Sequence, residues 1–188
     1  MDEVISLHDD IFVNIHNKEM DVLKSAFVNY EKNVDEFFVT DTNIDICQGD
    51  IIDKINFCLI DKTGKLMPYR TKGMIISSTC DLYNHKFIVV APVYDFDRWQ
   101  ELNEKINLNQ FKKNKYYQFF FIPNLDNIPS LLVDFNRVNS YQREYLNEII
   151  QNKKAKRILS LTKKGHYLFN LKLLINLLRS ESSNLKRS

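Results

Sequence analysis

The sequence lacks any apolar run that approaches the roughly 18–20 residues needed to cross a membrane as a helix. Its first residues, MDEVISLHDD, are acidic and show no basic region followed by an apolar core, so we expect no secretory signal. Only three cysteines are present, Cys47, Cys58 and Cys80, without a C-x-x-C pair. This odd count argues against a disulfide framework and a zinc cluster, so we expect a cytoplasmic protein with reduced thiols. The four histidines show no metal-ligand spacing, so we also expect no metal, and we expect no cofactor.

The charged residues are unevenly distributed along the 188 residues of the chain. Residues 1–61 carry a net charge of −10, residues 62–135 a net charge of +3 and residues 136–188 a net charge of +9. A basic C-terminal part suits RNA, DNA or an acidic protein partner. The alternative is that the acidic N-terminal part pairs with it, within one chain or across a homodimer.

The length of 188 residues predicts one domain with extensions. The N-terminal helix rests on apolar residues spaced by three and four between Met20 and Val34. The C-terminal helices rest on start signals at Asn139 and Thr162. The predicted parts are an N-terminal helical extension (1–45), a strand-rich part (46–138) with a polar helical insertion near 97–114, a C-terminal helical segment (139–180) and a disordered tail (181–188).

Short segments rich in β-branched and aromatic residues recur at roughly regular spacing in the middle of the chain, which is typical of a small barrel. In YYQFFF, Tyr116–Phe121, alternation places aromatic rings on both faces of a strand, so we expect both faces to be covered. The segments predicted as strands are CQGDIIDKINFCLID, KGMIISSTC, FIVVAPVYDF, KYYQFFFIPN and PSLLVDFNRV.

The segment KGMIISSTCDLYN carries the first candidate site, because polar side chains follow directly on an apolar strand. A nucleophilic Cys80 would need a base, and His85 lies five residues on, where Asp81 could orient it. The alternative is that Cys80 is a small buried residue and Asp81 caps the turn. The hydroxyls of Ser77, Ser78 and Thr79 would then satisfy backbone groups where the strand ends.

The segment Gln48-Gly49-Asp50 is the second candidate, as a pocket or a strand end. Gly49 permits a bend before a strand, and Asp50 can accept hydrogen bonds from the amides of a neighbouring loop. The functional alternative places Asp50 beside Asp81 at one mouth of the barrel.

Basic residues interleaved with tyrosines form the third candidate, a nucleic-acid surface in the C-terminal part. Positive charge gives sequence-independent affinity for phosphates, and aromatic rings can stack on exposed bases. The alternative is a solvated helical face with its tyrosines in the core. The candidate residues are Arg143, Lys153, Lys154, Lys156, Arg157, Lys163 and Lys164, with Arg137 nearby.

The order QGDIIDKINFCLID, KGMIISSTCDL and FIVVAPVYD resembles the core of the MazF/PemK-like toxin barrels over about Gln48–Asp95. The longer layout resembles an uncharacterised bacterial family with QGD, Ser-x-x-Cys-Asp-Leu and APV elements, here Gln48–Asp50, Ser77–Leu82 and Ala91–Val93. Both resemblances imply an α+β fold, a small SH3-like β-barrel of the MazF/PemK type flanked by helices.

The resemblance also implies an activity, since toxins of this kind cut single-stranded RNA without a metal. They use an Arg at the start of the second strand and a Thr or Ser at the start of the third. Here Lys72 and Lys86 stand at those positions, so the bidentate fork of Arg and the hydroxyl are both absent. We therefore expect a non-catalytic accessory or binding component of a bacterial toxin–antitoxin or phage-defence system. The resemblance implies that it contacts nucleic acid or a protein partner encoded nearby.

Two enzymatic alternatives stay open. The first is a metal-independent endoribonuclease in which Lys72 stabilises phosphate charge, assisted by a hydroxyl from Ser77, Ser78 or Thr79. The second is a hydrolase that uses Cys80.

Overall fold

The computed structural model describes residues 30, 32–40, 45–103 and 107–178. Most of the predicted N-terminal extension and the whole predicted tail lie outside these residues. The part of the extension that is described forms a 3-10 turn, Val34–Glu36, and a two-residue strand rather than the predicted helix. No helix within the described ranges is long and apolar enough to span a membrane.

The fold is α+β, built on a curled antiparallel sheet that forms a half-barrel. Its strand order is β1-β8-β2-β3-β4-β6-β5, and β7 pairs with the first half of β4. The strands are β1 (Phe38–Val39), β2 (Ile51–Ile60), β3 (Leu66–Ile75), β4 (Phe87–Asp95), β5 (Phe119–Ile122), β6 (Leu131–Asp134), β7 (Asn139–Gln142) and β8 (Arg157–Leu161).

Side chains of β7 draw the sheet towards closure by reaching the open edge of β2. The Asn139 amide donates to the carbonyl of Cys58 at 3.3 Å and accepts from its amide at 3.4 Å. The Tyr141 hydroxyl donates to the carbonyl of Asn56 at 2.7 Å. Backbone groups at this edge, which no strand pairs, are thereby satisfied.

Five helices in the described part cover the sheet. Helices α1 and α4 contribute Leu82 and Leu146 to a cluster with the aliphatic face of β2 to β4. Helices α2 and α3 pack over Phe121, and Phe169 of α5 packs over Phe120 on the opposite face. Both faces of β5 are therefore covered, as the alternation predicted. The helices are α1 (Thr79–Asn84), α2 (Phe96–Glu101), α3 (Leu108–Lys112), α4 (Arg143–Gln151) and α5 (Lys163–Leu178).

Two predicted elements are wrong. The strand predicted to run to Cys80 ends at Ile75, and the predicted tight loop after it is helix α1. The cause is Ser78, whose hydroxyl accepts the amide of Asp81 at 3.2 Å and so begins a helix.

The predicted C-terminal helical segment also contains strands β7 and β8 on either side of α4. Its second start signal is confirmed, since Thr162 accepts the amide of Gly165 at 3.1 Å.

Candidate functional site

The three hydroxyls after β3 are each bonded to the backbone of another segment or turn. Ser77 accepts the amide of Val89 at 2.8 Å, and Ser78 caps α1. Thr79 accepts the amide of Gln48 at 3.2 Å. These contacts fix the end of β3 against β4 and the turn before β2, which is what side-chain oxygens of this type commonly do at strand ends.

Asp81 and His85 meet on the surface of α1. Their Oδ1 and Nε2 atoms lie 3.4 Å apart, and the side chains are 47% and 64% exposed. Cys80 is exposed, so the alternative of a small buried residue is wrong. Within the described residues no hydrogen bond joins its thiol to Asp81 or His85. Asp81 thus contacts His85 as the catalytic hypothesis requires, but the structure supplies no contact that would activate the thiol.

Gln48, Gly49 and Asp50 form a buried turn against the end of β3. Gly49 has a φ of +86°, and a Cβ there would lie 2.0 Å from Cδ1 of Leu161. Only glycine combines this backbone conformation with so close an approach. The carboxylate of Asp50 accepts the amide of Cys47 at 2.9 Å and Nη1 of Arg157 at 2.8 Å. Asp50 is almost fully buried and bonded to Cys47 and Arg157, whereas Asp81 is half-exposed and lies against His85, so the two carboxylates have different partners.

His166 on α5 completes this turn and was not predicted from the sequence. Its Nε2 lies 2.9 Å from Oε1 of Gln48, whose amide donates to the carbonyl of Ile76 at 2.7 Å. Nδ2 of Asn170 lies 3.2 Å from Nδ1 of the same ring. A neutral ring that donates from Nε2 and accepts at Nδ1 satisfies both contacts. Desolvation lowers the pKa of His166, which favours that neutral form.

Lys72 is engaged by a carboxylate. Its ammonium group forms an ion pair with Asp95 on the neighbouring strand β4, and its side chain is only 24% exposed. Lys86 stands where the resemblance to the toxins would place a Thr or Ser. Its ammonium lies 5.6 Å from the centre of the Phe87 ring. A phosphate at Lys72 would therefore have to compete with the carboxylate of Asp95.

Four of the seven basic candidates share one cleft, with a volume of about 880 Å³, between α1, α4 and the start of β2. We call it the basic cleft. Lys54 of β2 also lines the cleft. It was not predicted from the sequence, because it lies far along the chain from the basic C-terminal part. Lys154, Lys163 and Lys164 do not line it, and Lys164 is paired with Glu36 at 2.6 Å. The candidates in the cleft are Arg143, Lys153, Lys156 and Arg157.

The two arginines of the basic cleft have structural partners. Arg157 is buried against Asp50. Arg143 donates to the carbonyl of Tyr83 at 2.6 Å and to Glu144 at 3.2 Å, which ties α4 to the last turn of α1. Both guanidinium groups are therefore committed to holding the walls of the cleft.

The three lysines of the basic cleft are Lys54, Lys153 and Lys156. All three are exposed, and within the described ranges none of them forms an ion pair. The acidic residues that line the same cleft are Asp45 and Glu144. The cleft therefore presents a surplus of positive charge that is available to an anion.

An apolar floor and an aromatic lip complete the basic cleft. Tyr83 at the rim is 57% exposed. The apolar residues that line the cleft are Ile46, Leu82, Ile88, Leu146, Ile150 and Ala155. A ligand with both phosphates and flat apolar groups would match these two kinds of surface.

In the described part of the chain, no three His, Cys, Asp or Glu residues come close enough together to hold a metal ion. No protein-family model matches the chain, and no curated protein is significantly similar to it.

Proposed function

We propose that the protein is a non-catalytic barrel of the MazF/PemK-like type that binds nucleic acid through the basic cleft. The observation that carries this proposal is the set of Lys54, Lys153 and Lys156, which are exposed around one cleft with no ion-pair partner among the described residues. Lysines in this state gain more from a phosphate chain than lysines already paired with carboxylates.

The MazF/PemK-like and SH3-like part of the proposal is supported by the antiparallel order β2-β3-β4-β7 and by the contacts of Asn139 and Tyr141 that close it on β2. The setting, a bacterial toxin–antitoxin or phage-defence system, follows from the resemblance of the sequence motifs alone.

The non-catalytic part of the proposal is supported by the state of the candidate catalytic groups. Lys72 is paired with Asp95, and the three hydroxyls bond to backbone amides. No hydrogen bond joins the thiol of Cys80 to a base in the part of the chain that the structure describes. The ribonuclease alternative gains no specific observation in its favour, and the thiol-hydrolase alternative gains only the contact of Asp81 with His85.

The experiment measures binding of labelled single-stranded RNA and of a DNA duplex by fluorescence anisotropy over a series of salt concentrations. Wild-type protein should bind with an affinity that falls as salt rises. Replacing Lys54, Lys153 and Lys156 by Ala should weaken binding and reduce the slope of log K against log salt by about 0.7–0.9 for each phosphate that the variant no longer neutralises.

A matched control replaces Lys62, Lys65 and Lys112, three exposed lysines that do not line the cleft, and changes the net charge equally. It should keep most of the affinity. Equal losses of affinity in the two triple variants would mean that the attraction is diffuse and that the cleft is not the site. A wild-type protein that binds neither nucleic acid would remove the proposed function altogether.

A further inference from the structure

The walls of the basic cleft contain two residues in an unusual backbone conformation. Lys54 has a φ of +56° at a break in the register of β2, between Ile52 and Ile55. Lys153 has a φ of +55° in the turn after α4. Left-handed backbone is disfavoured for residues with a Cβ and persists where surrounding contacts impose it. Of the four non-glycine residues with positive φ in the described part of the chain, these two line the cleft.

Asp53 makes the contacts that join these two segments. Its amide donates to the carbonyl of Lys156 at 2.9 Å, and its Oδ1 accepts the amide of Lys156 at 2.6 Å. The bulge that presents Lys54 is thus bonded to the turn that presents Lys153 and Lys156, although the two bonded residues are 103 positions apart. Within the described residues the carboxylate of Asp53 forms no ion pair. Its hydrogen bond is to the backbone amide of Lys156.

We propose that Asp53 is a positioning residue for nucleic-acid binding: its carboxylate holds the bulge and the 152–156 turn together so that Lys54, Lys153 and Lys156 face the same ligand. This inference rests on the proposed function. The positioning role predicts that removing Asp53 weakens binding. This is the opposite of the usual effect, because an acidic residue beside a phosphate site weakens binding if only its charge matters. A geometric role and an electrostatic role therefore predict opposite effects of its removal.

The test compares Asp53→Asn with Asp53→Ala, using the same labelled RNA and the wild-type assay. Both variants lose one negative charge, but the amide oxygen of Asn can still accept the amide of Lys156, whereas Ala has no acceptor. We expect Asp53→Asn to bind at least as tightly as wild type. Asp53→Ala should bind about fivefold more weakly than Asp53→Asn, the effect of removing one hydrogen bond.

A matched control pair is available at the β2–β3 turn. Asp61 there accepts the amides of Thr63 and Lys65 at 2.8 and 3.0 Å, outside the basic cleft. Asp61→Ala and Asp61→Asn should bind RNA alike, even where the alanine variant melts at a lower temperature. This separates positioning from general loss of stability.

All variants are compared below their melting temperatures, and Asp53→Ser, whose shorter side chain cannot place an oxygen at the same point, replaces Asp53→Ala should the latter fail to fold. Equal affinities of the folded Asp53→Asn and Asp53→Ala or Asp53→Ser variants would overturn the positioning role and leave the proposed function intact. Absence of RNA and DNA binding by wild type would instead overturn the proposed function, and the positioning role with it.

Discussion

The guanidinium of Arg157 lies 2.8 Å from the carboxylate of Asp50, and the two side chains are 7% and 2% exposed. The same nitrogen donates to the carbonyl of Asp45 at 2.8 Å, and Asp50 also accepts the amide of Cys47. This buried pair joins the start of β8 to the turn before β2. Arg157 therefore stabilises the structure around the basic cleft, although its position in a basic segment predicted that it would bind phosphate.

Breaking this pair should cost stability more than binding. We expect Arg157→Met to lower the free energy of unfolding by about 3–5 kcal/mol, because the carboxylate of Asp50 would stay buried without its charged partner. The measurement is urea denaturation at neutral pH. The control is Lys164→Met, which removes the half-exposed pair with Glu36 and should cost about 1 kcal/mol or less. Similar losses of stability in the two variants would show that the buried pair is not special.

Strands of the half-barrel could be predicted from the sequence because apolar and aromatic residues mark them locally, and β2 and β4 lie where the pattern placed them. Strand β7 could not, because Asn139 and Ser140 are also typical of helix starts. What makes this segment a strand is pairing with β4 and the contact of Asn139 with Cys58, 81 positions earlier. Such a contact leaves no local signal.

The residues of the basic cleft could likewise be predicted only in part. The sequence predicted Arg143, Lys153 and Lys156 because basic residues cluster there, and all three line the basic cleft. Lys54 could not be predicted, since it looks like an ordinary polar residue of a strand, and only the bulge turns it towards the C-terminal part. The role of Asp53 could not be predicted either, because its partner Lys156 lies 103 positions away in the sequence and is brought close only by the fold.

Lys72 should be dispensable for RNA chemistry. We expect purified protein to leave single-stranded RNA uncut, and Lys72→Ala to leave that result unchanged, because the ammonium is already paired with Asp95. The measurement is gel analysis of a labelled RNA after prolonged incubation, with a parallel binding assay to show that the protein is folded and engaged. Cleavage by wild type that disappears in Lys72→Ala would establish the ribonuclease alternative.

The cysteines should differ in reactivity according to their surroundings. Cys80 is exposed on α1, whereas desolvation, with the nearby charge of Asp50, raises the pKa of Cys47. Since the thiolate is the reactive form, we expect iodoacetamide to modify Cys80 before Cys47. Mass spectrometry of quenched time points gives both rates, and Cys80→Ser controls the assignment.

The same experiment tests the hydrolase alternative. A thiol with no activating base in contact should react no faster in the folded protein than in the protein unfolded in urea. A Cys80 that reacts much faster in the folded state would point instead to an activated nucleophile.

Lys172 should make the free energy of unfolding depend on pH above about pH 7. Its ammonium group is buried and donates to the carbonyls of Asn114 and Tyr116 at 2.6 and 2.7 Å. Burial lowers the pKa of Lys172 to about 7, from an ordinary value of 10.5. Between these values the unfolded chain binds a proton that the native protein lacks, so the free energy of unfolding should rise with pH, by at most about 1.4 kcal/mol per pH unit.

Below about pH 7 both states carry the proton, and this dependence should vanish. Urea denaturation of wild type and Lys172→Met over a pH series isolates the effect. The difference between them should shift in favour of wild type as pH rises above 7, because Met cannot lose a proton. Parallel profiles for wild type and Lys172→Met would show that the buried ammonium keeps its proton, held by the two carbonyls that it contacts.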